Sequence, residues 1–350
     1  MDIGFWKGKR VFISGHTGFK GSWLCKILYD AGAEISGLSL PLNDSNLLYK
    51  QLNLDIKKSY FEDVNNLEQV KFAIQEAQPE ILFHLAAQPL VSESYDDPIY
   101  TFQTNIIGTA KLLLAAASVP SIVSLVNITS DKCYENNNEL KVFKESDPMG
   151  GFDPYSASKG CAEIVSTAIK HSFFDQTNIR MANVRAGNVI GGGDMSKDRL
   201  LPDIIRAINN NEVLPIRSLE SIRPWQHVIE PLFGYLEIAQ GLYENRERFV
   251  GAWNFGPELI DCISVKEVIN IVSKRYKDFK YSIGDKIFSE SKLLRLDNSK
   301  AKTQLDWKPR WSASNSIAKT LDFNERYMKG ESMNRILSDQ IDEYQELING

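Results

Sequence analysis

The sequence contains few of the residues from which metal centres and disulfide frameworks are built. Its 350 residues include four cysteines, at positions 25, 133, 161 and 262, and only four histidines. The cysteines have no C-x-x-C spacing and no neighbouring histidine cluster, so the sequence predicts neither a zinc site nor a disulfide framework. We therefore expect no metal, reduced thiols and a cytoplasmic location.

The sequence also lacks a strong charge excess and a long uninterrupted apolar run. The formal net charge is −5, which disfavours a nucleic-acid partner because such partners usually require a basic face. The most apolar long segment, residues 106–128, is interrupted by Gly108, Lys111 and Pro120. A buried helix followed by a buried strand explains this segment better than a membrane span. No signal-peptide pattern is seen in the first 15 residues, so we expect no membrane association.

Short apolar runs instead alternate with amphipathic stretches. Strands are predicted at 10–15, 34–40, 80–87, 121–130 and 179–188, and helices at 21–32, 66–78, 104–118 and 155–171. This alternation predicts an α/β fold with a doubly wound parallel sheet of Rossmann type. We expect a dinucleotide-binding domain over residues 1–190 and a smaller C-terminal α/β lobe over 191–350, with segments near 228–257 returning to the first domain. The polar tail from about Asp339 is expected to be loosely ordered.

Three glycines, Gly15, Gly18 and Gly21, lie between the first predicted strand and the first predicted helix. Glycines in this place allow a tight turn and let backbone N–H groups approach a pyrophosphate at the helix N-terminus. The alternative is a turn in which the glycines serve packing only. Their position after the first strand of a βαβ unit favours a nucleotide site.

The sequence leaves the choice between NAD and NADP open. An acidic residue normally ends the second strand and binds the adenosine ribose, but here the strand ends at Ser39, Leu40 and Pro41. No arginine lies close enough to indicate a 2′-phosphate. Asp63, after a short third strand, either accepts a hydrogen bond from the adenine amino group or caps the helix that begins near Asn66.

Tyr155 and Lys159 are four residues apart, a spacing that puts both side chains on one face of a helix. An ammonium beside a phenol is expected to lower the tyrosine pKa from its reference value near 10. Such a phenolate could take a proton from a sugar hydroxyl while hydride leaves for nicotinamide. Ser130, at the end of the strand before this helix, would hydrogen-bond the same hydroxyl. The alternative is a surface pair without chemistry.

These residues resemble the extended short-chain dehydrogenase/reductase family. The segments "GHTGFKGSWL", "HLAAQPLV", "NITSDKCYE", "GGFDPYSASKG", "VRAGNVIGGGD", "RPWQHV" and "WNFGP" resemble its CDP-glucose 4,6-dehydratase branch, and the likeness covers nearly the whole chain. The resemblance implies an NAD-dependent hydro-lyase. Such an enzyme oxidises the sugar at C4, loses water across C5 and C6, and returns the hydride to C6, giving CDP-4-keto-6-deoxy-D-glucose. It also implies a role in deoxysugar and O-antigen biosynthesis, and a homodimer or tetramer.

The resemblance further implies roles for the consecutive pair Asp131 and Lys132. Asp131 would be the acid for water loss and Lys132 the base at C5. Burial and the charge of Lys159 would lower the Lys132 pKa. The related dTDP-glucose enzymes carry Asp-Glu here, so the Asp-Lys pair favours CDP-glucose. The alternative is a solvated pair in a loop.

Other contacts are implied by matching positions. Beyond the three glycines, Tyr155 and Lys159, the expected cofactor contacts are Thr17, Phe19, Ser39, Asp63, Val64, Leu85, Ala86, Ala87 and Asn105. The expected substrate contacts are Gln88, Asn188, Arg199 and Arg223. A guanidinium suits the diphosphate because it forms paired hydrogen bonds. Ser92 stands where the family has an arginine, so the preferred hexose stays open.

Two other functions remain compatible with the sequence. One is a 4,6-dehydratase or C4 epimerase acting on another nucleotide sugar, such as a UDP-N-acetylhexosamine. An epimerase needs Ser130, Tyr155 and Lys159 but no elimination pair, so Asp131 and Lys132 disfavour it. The other is an NAD-binding sensor or scaffold without turnover, which the presence of all three oxidation residues disfavours.

Overall fold

The computed structural model describes residues 3–137, 141–284, 294–305 and 307–350. Its strands are β1 (Arg10–Ser14), β2 (Glu34–Ser39), β3 (Lys58–Phe61), β4 (Ile81–His84), β5 (Ser124–Ile128), β6 (Arg180–Ala186), β7 (Val189–Ile190), β8 (Val213–Ile216), β9 (Ile222–Pro224), β10 (Gln226–His227), β11 (Gly251–Phe255), β12 (Cys262–Ser264) and β13 (Lys280–Ile283). Seven of them form one parallel sheet in the order β11-β6-β5-β4-β1-β2-β3. This sheet confirms the predicted doubly wound α/β fold.

Thirteen α-helices are described, and several of them cover the two faces of the main sheet. They are α1 (Phe19–Asp30), α2 (Leu47–Leu52), α3 (Leu67–Ala77), α4 (Val91–Asp96), α5 (Pro98–Phe102), α6 (Thr109–Ala117), α7 (Pro154–Ile169), α8 (Leu200–Asn210), α9 (Ile229–Tyr243), α10 (Val265–Arg275), α11 (Ser299–Gln304), α12 (Ala313–Met328) and α13 (Met333–Asn349). One apolar cluster packs α1, α9 and α13 on one face, and a second packs α3 and α6 on the other. Strand β5 is therefore buried along its whole length, as expected for a strand covered on both sides.

The sequence explains where several helices begin. Asp153 accepts a hydrogen bond from the Ser156 amide, and Pro154 occupies the first turn of α7. Both features favour a helix start because they leave fewer amide groups without a partner. The helix predicted at 104–118 begins instead as a π-helical turn, Gln103–Gly108, before α6. A Cβ on Gly108 would lie 2.7 Å from Val64, so a glycine is needed at this close approach.

The C-terminal half contributes to two parts of the molecule. Strand β11 pairs in parallel with β6, and α9 packs beneath β5 and β6, so residues 229–255 belong to the main sheet. A smaller lobe is formed by paired strands β8 and β13, paired strands β9 and β12, and helices α8, α10 and α12. This lobe lies beside the carboxyl ends of the main strands.

The C-terminal tail is helical, so the expectation of a loosely ordered tail is wrong. Helix α13 runs from Met333 to Asn349 and buries Ile341 and Tyr344. The Tyr344 hydroxyl donates a hydrogen bond to the buried Glu230 carboxylate. That carboxylate also accepts from the backbone amides of Arg310 and Trp311. The polar residues of the tail form the outer face of an amphipathic helix, and its apolar residues hold it in place.

Candidate active site

A cavity of about 1840 Å³ opens between the main sheet and the smaller lobe. Its wall includes residues that follow β1, β2, β4, β5 and β6, and also residues from α8, β8 and β9. Ligands of open α/β sheets bind beyond the carboxyl ends of the strands. The cavity is therefore placed where a dinucleotide and a second ligand could meet.

The glycine loop forms the first part of the wall. Gly15 has a φ of +76°, and a Cβ there would lie 2.7 Å from the Ala86 amide nitrogen. A Cβ on Gly21 would lie 2.1 Å from the Gly15 carbonyl oxygen, so α1 could not approach the loop with a larger residue. Gly18 caps α1 without any side-chain hydrogen bond. The N–H groups at the start of α1 are therefore free of a side-chain cap, which suits an anionic ligand.

His16 supports the loop from behind. Its ring lies 2.3 Å from where a Cβ of Gly37 would be, which explains the glycine in β2. The two ring nitrogens lie 3.0 Å from the hydroxyl oxygens of Ser39 and Ser59. Burial lowers the pKa of His16 to about 4. The ring is therefore neutral near pH 7 and holds the end of β2 by hydrogen bonds.

Ser130 and Tyr155 meet at the end of β5. A hydrogen bond from Ser130 lowers the Tyr155 pKa, but burial dominates and raises it to about 12. The Lys159 nitrogen lies 6.0 Å from the centre of the Tyr155 ring. The structure thus brings the three predicted residues together. The predicted lowering of the Tyr155 pKa is nevertheless wrong here, because desolvation of the phenolate outweighs the positive charges around it.

Lys159 is buried between Tyr155 and a charged network. Burial lowers its pKa to about 8, although the charge of Glu163 opposes that shift. Glu163 forms paired hydrogen bonds of 2.8 and 2.9 Å with the Arg185 guanidinium. It also accepts from Thr129, the residue before Ser130. The network therefore connects α7, β6 and the end of β5 directly behind Ser130 and Tyr155.

Asp131 is almost completely buried, with 2% of its surface exposed. Its Oδ1 accepts from the Ser130 hydroxyl at 3.0 Å, whereas its Oδ2 has no hydrogen-bond partner among the described residues. Burial raises the pKa of Asp131 above its ordinary value, although the charge of Lys132 opposes this. Lys132 is half-buried and lies on the same cavity wall. The alternative of a solvated loop pair does not hold for Asp131.

Lys20 is a wall residue that sequence reasoning missed. It is the residue between Phe19 and Gly21 of the glycine loop, and it faces the same cavity. Burial and the charges of Arg199 and Lys159 lower its pKa to about 7, while Asp131 opposes the shift. A lysine inside a phosphate-binding glycine pattern is the signal that could have identified it.

The other predicted residues divide into two groups. The cavity wall includes Thr17, Phe19, Ser39, Asp63, Val64, Leu85, Ala86, Ala87, Asn188, Arg199 and Arg223, together with Ser92. Gln88 and Asn105 are not among the residues that line the cavity, and their role as direct ligand contacts stays a prediction. The Gln88 amide donates to Asn105 at 2.9 Å, and Asn105 donates to the Ser158 hydroxyl at 2.9 Å. These two side chains are buried supports because their polar atoms are used within the protein.

The two alternatives for Asp63 can now be compared. Its Oδ1 accepts from the Asn65 amide at 2.8 Å, within the turn that follows β3. The N-cap of α3 is Asn66, whose side chain accepts from the Gln69 amide. The capping role considered for Asp63 is therefore wrong, and its side chain belongs to the turn on the cavity wall.

Within the described residues, no group of three or more histidine, cysteine, aspartate or glutamate side chains is arranged to hold a metal ion. Across the same part of the chain, no helix has the length and apolar character needed to cross a membrane.

Comparisons with known proteins show the family. The sequence model for the family described as GDP-mannose 4,6 dehydratase matches residues 12–320. The chain belongs to this family. It is 45% identical over 341 residues to the CDP-glucose 4,6-dehydratase of Salmonella typhimurium, and the match covers 95% of each chain. It is 22% identical over 341 residues to dTDP-glucose 4,6-dehydratase 1 of Escherichia coli, covering 90% of this chain and 92% of that protein.

Solved structures share the fold at lower identity. MoeE5 in complex with UDP-glucuronic acid and NAD has a TM-score of 0.78 and 21% identity, covering 91% of this chain and all of that one. TunA, an NAD-dependent NDP-hexosamine 5,6-dehydratase, has a TM-score of 0.75 and 21% identity, covering 93% of this chain and 99% of that one. These likenesses confirm the predicted fold class.

Proposed function

We propose that this protein is an NAD-dependent CDP-glucose 4,6-dehydratase. Its 45% identity to the Salmonella typhimurium enzyme over nearly the full length of both chains supports this activity. The observation that carries the proposal is the buried Asp131, whose Oδ2 has no partner among the described residues. Asp131 and the adjacent Lys132 lie on the wall that also holds Ser130 and Tyr155. A simple C4 oxidoreductase or epimerase would not need this second acid and base.

The residues present fit a dinucleotide. The start of α1 has no side-chain cap, and the close packing at Gly15 and Gly21 allows a pyrophosphate to approach the backbone. Accepting a hydride from the sugar and returning it is the chemistry that NAD supplies when bound. The protein must supply all of the proton transfers.

Three side chains supply these transfers, and Ser130 orients the sugar. Tyr155 takes the proton of the sugar 4-hydroxyl, which Ser130 orients by hydrogen bonding. The resulting C4 ketone acidifies the hydrogen on C5, and Lys132 removes it as a proton. Asp131 protonates the C6 hydroxyl, which leaves as water. Lys132 then gives its proton back to C5, and the proton that Tyr155 took is passed back to Asp131, so the sugar loses one water overall and each side chain regains its starting state.

The environment of Asp131 suits a general acid. An exposed aspartate is ionised at neutral pH, but burial raises the pKa of Asp131, which increases the fraction able to donate a proton. Its Oδ2 has no partner among the described side chains, so this oxygen can face a substrate hydroxyl. Tyr155 needs the opposite change, because a phenol with a pKa of about 12 must lose its own proton before it can accept the proton of the sugar hydroxyl.

The lobe side of the cavity suits a nucleotide diphosphate. Arg199 lies at the start of α8 and forms an ion pair with Asp194 at 3.4 Å. Arg223 lies on β9, and its charge is one of those that oppose the rise that burial causes in the pKa of Asp131, so the guanidinium is near the proposed site of water loss. Two guanidiniums on one wall are appropriate for a diphosphate linking a nucleoside to a sugar.

Activity can be tested with purified protein, NAD⁺ and CDP-glucose. We expect the alkaline absorbance of a 4-keto sugar and a mass loss of one water from the nucleotide sugar. Parallel assays with UDP-, GDP- and dTDP-glucose measure base specificity. Product from another nucleotide sugar but none from CDP-glucose would reject CDP-glucose as the substrate. Epimerised sugar without water loss would reject the dehydratase reaction itself.

A homodimer is the proposed assembly. Apolar side chains are exposed on the outer faces of α5 to α7 and the turns between them, namely Ile99, Ile107, Leu114, Ile164 and Phe173. Such neighbouring apolar groups favour association because it removes them from water. Ile164→Glu should give monomers in light scattering coupled to size-exclusion chromatography. Ile260→Glu is the matched control, since Ile260 is more exposed but lies in the smaller lobe. Unchanged mass for Ile164→Glu would reject this interface.

A further inference from the structure

The adenosine end of the cavity has an unusual charge pattern. Its wall is formed by residues after β2, which carry no charge, and by Glu62, Asp63 and Val64 after β3. No lysine or arginine is present among the described wall residues of the stretches 38–48 and 62–64. The second strand therefore lacks the usual ribose carboxylate, while two carboxylates follow the neighbouring strand.

The backbone places Glu62 beside the end of β2. Ser39 pairs with Phe61 in the sheet, and the Glu62 amide donates to the Ser39 carbonyl at 2.8 Å. Neighbouring strands are about 4.8 Å apart, and a glutamate is one methylene longer than an aspartate. The Glu62 carboxylate can therefore approach the space that the carboxylate of an acidic residue at the end of β2 would normally occupy.

Several other polar atoms at this end of the wall already form hydrogen bonds within the protein. The Ser39 hydroxyl is shared between His16 and the Thr17 amide, and Asp63 accepts from Asn65. Glu62 is half-buried on the wall, and its carboxylate has no hydrogen bond or ion pair with any residue in the described part of the chain. Both of its carboxylate oxygens are available to a ligand, whereas Asp63 already uses its Oδ1 within the turn.

We propose that Glu62 accepts hydrogen bonds from the adenosine ribose hydroxyls of NAD and thereby excludes NADP. This inference rests on the proposed use of a nicotinamide dinucleotide. Hydroxyl groups bound to an ionised carboxylate form strong, short hydrogen bonds. A 2′-phosphate in the same place would put two negative charges together without any cation on this part of the wall, and such a contact is repulsive.

Direct binding measurements test this assignment without activity. Calorimetry on the dinucleotide-free protein should give a dissociation constant for NAD⁺ that Glu62→Gln raises by about tenfold or more. The same substitution should change the affinity for 2′-deoxy-NAD⁺ less, because one of the two hydroxyls is missing. It should also reduce the ratio of the NADP⁺ dissociation constant to the NAD⁺ dissociation constant, because the charge that repels the 2′-phosphate is gone.

Asp55→Asn is the matched control, since Asp55 is exposed and lies outside the cavity wall. Thermal unfolding of both variants shows whether the fold is intact. Equal NAD⁺ affinity for wild type and Glu62→Gln would overturn the assignment while leaving the proposed cofactor in place. No NAD⁺ binding by the wild type would overturn both the cofactor and the assignment.

Discussion

Asp131→Asn is predicted to make the protein less active and more stable. Asparagine has nearly the same shape and can still accept the Ser130 hydrogen bond, but it cannot act as a useful acid at neutral pH. General acid catalysis contributes about 10²- to 10⁴-fold, so water loss should slow by that factor. C4 oxidation should persist, because Ser130, Tyr155 and Lys159 are unchanged.

The direction of the stability change follows from the pKa of Asp131. Burial raises this pKa above 3.8, so the folded protein holds its proton more tightly than the unfolded chain. As pH rises above the unfolded value, the unfolded chain ionises first, and the folded state loses stability relative to it. Each unit by which the Asp131 pKa in the folded protein exceeds that in the unfolded chain lowers the unfolding free energy at neutral pH by about 1.4 kcal/mol. The neutral asparagine of the variant avoids this cost.

Two measurements check the prediction. Single-turnover experiments follow reduced cofactor absorbance, and mass spectrometry follows water loss. Urea unfolding at about pH 7.5 compares the free energies of the variant and the wild type. Asp194→Asn is a control, because its carboxylate is ion-paired with Arg199 and its loss should not stabilise the protein. Full dehydratase activity, or a destabilised Asp131→Asn, would refute the reasoning about this site.

Three further predictions concern other parts of the molecule. Tyr155→Phe should abolish C4 oxidation, so that no reduced cofactor absorbance appears in a single turnover; a remaining signal would remove Tyr155 as the base. Acidification from about pH 7.5 to about pH 5 should lower the unfolding free energy by roughly 2 kcal/mol for each histidine that burial keeps neutral. The reason is that these histidines become protonated at a higher pH in the unfolded chain than in the folded protein. An unfolding free energy from urea titration that does not change with pH would contradict this. The three histidines, with folded pKa values of about 4, 3 and 3, are His16, His84 and His227. Tyr344→Phe should lower the unfolding free energy by about 1.5–3 kcal/mol because the Glu230 carboxylate loses a donor; an unchanged urea midpoint would contradict the contact.

The fold could be predicted largely because its signals are local. The apolar run before Gly15 and the amphipathic stretch after it predict β1 and α1 within two residues of their observed bounds. The C-terminal tail was predicted wrongly because its polar residues dominate the composition. The partner of its apolar face is the core around Glu230, more than 100 residues earlier, and no local pattern reveals such a contact.

The candidate site likewise has some features that local sequence predicts and others that only long-range packing determines. Ser130, Tyr155 and Lys159 could be identified because their spacing on a strand end and a helix face is a local property. The Tyr155 pKa could not be predicted from the sequence, since it depends on how completely several elements remove the phenol from water. Gln88 and Asn105 are predicted as ligand contacts only because they match positions of the family. Only the three-dimensional structure shows that they bond to each other.

The network behind the cavity explains how separate segments keep a fixed geometry. Glu163 lies one helical turn after Lys159, and it accepts from Thr129, the residue before Ser130. The Arg185 guanidinium on β6 neutralises the same carboxylate through two hydrogen bonds. One carboxylate therefore sets the distance between the lysine and the serine, although they come from different elements. Losing one partner of such a buried pair costs about 3–5 kcal/mol, so the geometry is held by interactions much stronger than those of exposed ion pairs.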